Sequence, residues 1–156
     1  MKVVPLKKSD DEVILKLSGS NLTMNTTCFC ISSINPYIVI EKSFNASGKL
    51  NYIPVQKTEI STSQSPNPTF KPLKFKTQAL CNSDLNQVVQ FKVYNMVAEG
   101  SPSVLIGSCQ KSINFLVENR RVQLAAADGT PSGHLVIDDL QIIQKPTFFE
   151  YLRSGW

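Results

Sequence analysis

The chain has 156 residues, 42 % of them hydrophobic and 18 % charged, with a formal net charge of +4. That is the length of one domain, able to bury roughly two-thirds of the surface its unfolded chain exposes, which excludes a purely disordered segment. No apolar run approaches the roughly 20 residues of a spanning helix, and the opening MKVVPLKKSDDEV lacks the apolar stretch of a secretion signal, so a soluble intracellular protein is expected.

Almost every ordered segment alternates with period two. EVILKLSG directs Val13, Leu15 and Leu17 to one side, and YIVIEKS follows. In NYIPVQKTEI the same alternation points Ile53 and Val55 inward and Tyr52 and Gln56 outward. Lys57 then has inward parity, and because a lysine in the core is costly, a bulge or a rim position is expected there. KPLKFKTQ alternates Leu73 and Phe75 with Lys74 and Lys76, and VVQFKVY alternates Val89, Phe91 and Val93 with Gln90, Lys92 and Tyr94. SVLIGSCQ, RRVQLAA and GHLVIDDLQII complete a set of eight strands, separated by turn-rich stretches such as NASGK and STSQSPNP. None of this span carries a helical stripe longer than about two turns. Eight short strands with one apolar face each bury those faces by stacking, so an all-β, eight-stranded antiparallel sandwich is predicted. Only PTFFEYLRSGW differs, with a short helix expected after Pro146 and Phe148, Phe149 and Leu152 on one side of it. Those bulky groups need cover, either from the sandwich itself or from a domain that follows.

The residues argue against several function classes. The one histidine, His134, opens a strand, and no serine or cysteine has the surroundings of an activated nucleophile, so no enzyme is expected. Of the four cysteines, Cys28 and Cys30 are too close to bridge comfortably, and no zinc-type pair exists; Cys81 and Cys109 are expected as free thiols with them. Basic charge without a recognition motif, and aromatics at 8 %, do not suggest a nucleic-acid binder. The only tryptophan is Trp156, which excludes an immunoglobulin core built around a tryptophan.

Four stretches share a resemblance. INPYIVI, SPNPTFKPLKF, FKVYNMVAEGSPSVLIG and GHLVIDDLQIIQKPTFFEYLRSGW resemble strands and loops of C2 domains, and the last resembles the end of the second C2 domain of copines running into their von Willebrand A-type domain. The resemblance implies a C2-like sandwich over 1–145 and, over 146–156, a linker or the truncated start of the A-type domain. It further implies a cytoplasmic, peripheral membrane protein, with that A-type domain and another C2 domain as partners within a longer chain. Members of the family dock on anionic membranes, usually with calcium held by aspartates between loops one and three.

Carried over residue by residue, the calcium positions are degenerate. Asn35, Asn95, Val97 and Ser103 stand where the family has Asp; Glu99 is the only acid of its loop, and no Asp or Glu lies between Gly19 and Ile40. Calcium takes six to eight oxygens and its affinity follows their charge, so binding no better than roughly millimolar is expected, and calcium dependence is expected to be lost.

Charge is gathered elsewhere. From Lys42 to Lys76 there are six lysines and a single acid, Glu59, a net +5. If NYIPVQKTEI and KPLKFKTQ pair, Tyr52, Lys57, Lys71, Lys74 and Lys76 form one basic face. In C2 domains a similar lysine-rich hairpin contacts anionic lipid, each lysine contributing about 1 kcal/mol near the surface. Met96, Val97, Val104 and Phe29 would add apolar contact at the loop tips, or only pack the loops. The alternative is a solvated face on a scaffold that binds no lipid and positions the A-type domain.

Overall fold

The computed structural model describes residues 11–24, 34–98 and 100–144. Its strands are β1 (Glu12–Ser20), β2 (Pro36–Ala46), β3 (Lys49–Lys57), β4 (Leu73–Lys76), β5 (Val88–Asn95), β6 (Val104–Ser112), β7 (Arg121–Ala125) and β8 (Pro131–Ile143). Two short helices intervene, α1 (Thr77–Cys81) after β4 and α2 (Ile113–Glu118) after β6. The hydrogen-bonded order is β3-β2-β5-β6-β7-β8-β1-β4, with every pair antiparallel. β6 and β7 share only the pair Ser108–Ala125, and at that weak join the sheet folds into two four-stranded layers.

Period two explains the fold. Val13, Leu15, Leu17, Phe75, Leu135 and Ile137 are buried from one layer, and Ile38, Ile40, Val89, Phe91, Val93 and Ile106 from the other. Each set needs an apolar cover, and stacking makes each the cover of the other. The predicted eight-stranded sandwich is therefore the observed one.

Local differences have physical causes. In the β2–β3 ladder Ile40 faces Gln56 and Glu41 faces Pro54, so Val55 is an unpaired bulge residue. The bulge resets parity as the cost of a buried lysine required: Lys57 pairs with Val39 and is exposed. The inward expectation for Ile53 and Val55 is overturned, since they are 51 % and 36 % exposed. β3 ends the strand order with a neighbour on one side only, and the other end strand, β4, is four residues long, too short to cover it. The segment KPLKFKTQ is strand only from Leu73 to Lys76; Thr77 and Gln78 open α1, which stops at Asn82 in the left-handed region, its N–H donating to Gln78 O at 3.2 Å. In α2 the Ser112 side chain caps the first turn by accepting from the Phe115 N–H at 3.1 Å. The helix expected after Pro146, the boundary at 145, Phe29 and Glu99 lie outside the described residues.

Phe91 is fully buried whereas Phe44 is exposed. Phe91→Ala is expected to lower the unfolding free energy by about 3–5 kcal/mol, and Phe44→Ala by less than about 1 kcal/mol, measured by urea denaturation.

Candidate functional site

Three connections meet at one end of the sandwich. β2 begins there, β5 ends there and β6 begins there, because Pro36 pairs with Asn95 and Asn95 with Val104. The chain leaving β3 is strapped to the same end: Thr58 N–H donates to Ile38 O, Ile38 N–H to Thr58 Oγ1, and Ser61 N–H to Pro36 O.

The loop stems are tied by neutral groups. Asn95 is only 2 % exposed; its Oδ1 accepts the Asn35 N–H at 2.7 Å, and its Nδ2 lies 3.3 Å from Met24 Sδ. Asn35 O in turn accepts the Met96 N–H at 3.0 Å. Tyr37 Oη donates to Ser103 Oγ at 2.7 Å, fixing the far stem of the β5–β6 loop. Among the described residues, no three His, Cys, Asp or Glu side chains come together in a way that would hold a metal.

Beside these ties is a cleft of about 370 Å³, lined among others by Tyr37, Lys57, Glu59, Met96, Ser101 and Ser103. Tyr37 and Tyr94 are cross-strand partners, stacked with centroids 5.6 Å apart and planes at 22°. Val39 pairs with Lys57 on one side and Lys92 on the other, so both lysines share the outer side of this layer. They differ in neutralisation. Lys92 Nζ lies 3.6 Å from the buried carboxylate of Glu41, which also accepts from Gln90 Nε2 at 2.6 Å. Among the described residues Lys57 has no acidic partner within ion-pair distance. Glu59 is turned to the Lys71 N–H, which its carboxylate accepts at 3.0 Å.

The expected basic face is not formed as one surface. β3 pairs with β2 and β4 with β1, so no ladder joins β3 to β4; their link is Gln56 Nε2 to Lys74 O at 3.3 Å. Tyr52 pairs with Ser43 and Lys57 with Val39, on the outer side of one layer. Lys74 and Lys76 pair with Ile14 and Glu12, on the outer side of the other layer, and Lys71 lies in the connection between β3 and β4. The five residues thus line one edge of the sandwich from two sides. Lys74 is also spoken for, 3.2 Å from Glu12. Burial, and then the Glu41 carboxylate, push the Tyr52 phenol above its ordinary value. Sequence reasoning missed the grouping of Tyr37, Tyr94 and Lys92 with Lys57, which depends on cross-strand register.

No protein-family model matches the chain. Two curated relatives do: the protein BONZAI 2 of Arabidopsis thaliana, 29 % identical over 96 % of this chain and 25 % of its own length, and Copine-E of Dictyostelium discoideum, 26 % identical over 96 % and 26 %. Among solved structures, BON1-C2B superposes with a TM-score of 0.68 at 20 % identity, covering 91 % of this chain and 98 % of that one. The chain has the C2 fold and is similar to copine-type proteins over nearly its whole length. It spans about a quarter of the length of the curated relatives it matches.

Elsewhere in this C2 domain the reactive residue types are in quiet surroundings. His134 Nδ1 is 3.5 Å from Arg121 Nη2, which donates to Ser20 Oγ at 3.2 Å. Cys81 and Cys109 are buried free thiols. Burial pushes both thiols up, Cys109 to about 12. Its protonated form is therefore favoured by folding, and that contribution is complete below the ordinary thiol value of 9.0 and lost as pH rises toward about 12. Wild type should lose stability more steeply than Cys109→Ala across that window in urea unfolding, and folded Cys109 should resist iodoacetamide at pH 9.0.

Proposed function

We propose that this C2 domain docks on anionic phospholipid with its loop end, using Lys57 as the principal charge and requiring no calcium. The observation that carries the reading is the position of Lys57: an ammonium without a carboxylate partner among the described residues, in a cleft beside the Tyr37–Tyr94 stack. Exposed Val97 and Val104 stand at the same end, where apolar side chains gain by leaving water for lipid. The C2 fold supports the reading, since membrane docking is what the family resemblance implies.

The charges act in unequal shares. Lys92 and Lys74 each have a carboxylate close by, so their net attraction for lipid is reduced. Lys71 and Lys76 add to the field of the edge within a Debye length of roughly 8 Å. Each unneutralised lysine supplies about 1 kcal/mol, so attachment is weak and reversible, and a peripheral, cytoplasmic location is part of the same proposal. The neighbouring A-type domain and a further C2 domain belong to the same proposal and would add to the attachment.

The residues do not fit the calcium that the resemblance implies. Asn95 Oδ1 is already taken by the Asn35 N–H, Ser103 Oγ by the Tyr37 hydroxyl, and neither carries charge. A divalent ion would share two neutral oxygens with donors they already serve, against a dehydration cost that calcium sites offset with carboxylates.

The test is co-sedimentation with vesicles of phosphatidylcholine containing phosphatidylserine, with and without phosphoinositide, in EGTA. Binding is expected, and Lys57→Glu, by reversing one charge, should weaken it by on the order of thirtyfold at low salt. Lys74→Glu should weaken it less. Retention of Lys57→Glu on vesicles at wild-type strength would contradict the assignment, and no binding to any anionic vesicle would leave the scaffold role.

A further inference from the structure

We infer that Asn95 is a positioning residue, a neutral clamp that holds both stems of the β1–β2 connection against the β5–β6 loop and so presets the docking end without a bound cation. This rests on the proposed function for what the docking end does, and on hydrogen bonding alone for the clamp itself.

Asn95 is the last residue of β5 and is nearly inaccessible to water. One end of its carboxamide takes the N–H of Asn35, the residue just before β2; the other end faces Met24, four residues beyond β1. Chemistry fixes which end is which. A backbone N–H can only donate, so the oxygen must face Asn35, and the amino group is left for the thioether, a weak acceptor. Two stems, at Met24 and Asn35, are thereby fastened to a third segment 71 and 60 residues further on.

The clamp is also joined to the loop that follows. Asn35 O accepts the Met96 N–H, so Asn35 is held through both of its backbone groups, one by the Asn95 side chain and one by the next residue. Met96 lines the cleft that contains Lys57, and Val97 is exposed next to it. Loosening Asn95 therefore releases the segment that carries the docking side chains while leaving the core between the layers in place. A half-buried N–H that loses its acceptor is left poorly satisfied, enough to change loop order without unfolding a domain.

The side chain has no substitute of equal chemistry. Alanine removes the acceptor and leaves a cavity. Aspartate keeps an acceptor for Asn35 but puts a charge at a position nearly closed to water.

Three variants read by amide hydrogen exchange and vesicle co-sedimentation in EGTA test the clamp. In Asn95→Ala the Asn35 and Met96 amides should exchange about tenfold faster or more, with core amides such as that of Phe91 unchanged, and vesicle binding should fall. Asn95→Asp should restore slow exchange at Asn35 at neutral pH. Lys57→Ala should weaken vesicle binding with no change at either amide, which separates loss of the lipid contact from loss of the clamp. Unchanged exchange at Asn35 in Asn95→Ala would overturn the inference, as would faster exchange with full vesicle binding. If wild type binds no vesicle, the lipid reading fails and the exchange data alone decide: slow Asn35 exchange that needs Asn95 but no calcium supports the clamp, and fast exchange in wild type refutes it.

Discussion

The Asn35 N–H and the Asn95 carboxamide oxygen meet at 2.7 Å, and the character of the loop end depends on both groups being uncharged. A carboxylate at this depth would need a cation, or several donors, to remain ionised. A carboxamide needs only one donor and one weak acceptor, and Asn35 and Met24 supply them. Electrostatic attraction at this end is left to Lys57, and the ordering of the loop stems to hydrogen bonds between neutral groups.

The sandwich behind this end behaves as a frame. Its two layers share one backbone pair between β6 and β7 and a Gln56–Lys74 hydrogen bond at the opposite edge, and are held chiefly by side chains buried between them. Burial of those faces is indifferent to what the loops contain, so the loop end can exchange charge for amide without cost to the core. The outer side of the first layer is less free. Glu41, Gln90 and Gln110 form a hydrogen-bonded row across β2, β5 and β6, and Lys92 completes it with an ion pair. The row neutralises Lys92 and leaves Lys57, the other lysine opposite Val39, exposed and without an ion pair among the described residues.

Much of the architecture was legible in sequence because strand faces repeat every second residue. Val13, Leu15 and Leu17, or Val89, Phe91 and Val93, need no neighbour to be recognised as an inner face, and all six are buried. The bulge beside Lys57 was also legible, because one lysine at inward parity has a large penalty to avoid. Exposure of Ile53 and Val55 was not, since it follows from β3 being an edge strand, which alternation along one strand does not encode. The helices α1 and α2 are five and six residues long, too short for a helical stripe. At the loop end, the neutrality of Asn35 and Asn95 could be read directly, but not that the two bond each other across 60 residues. The basic face failed for a similar reason: lysines close in sequence were assigned to one ladder, and the topology sends Lys57 and Lys74 to opposite layers.

A calorimetric titration of calcium into the domain bears most directly on the neutrality of this end. With Asn95 Oδ1 serving the Asn35 N–H and Ser103 Oγ the Tyr37 hydroxyl, both uncharged, the domain should give no saturable heat at free calcium well below about 1 mM. A stoichiometric, saturable signal in the micromolar range would mean that carboxylates or freed amide oxygens gather around the ion, contradicting the account.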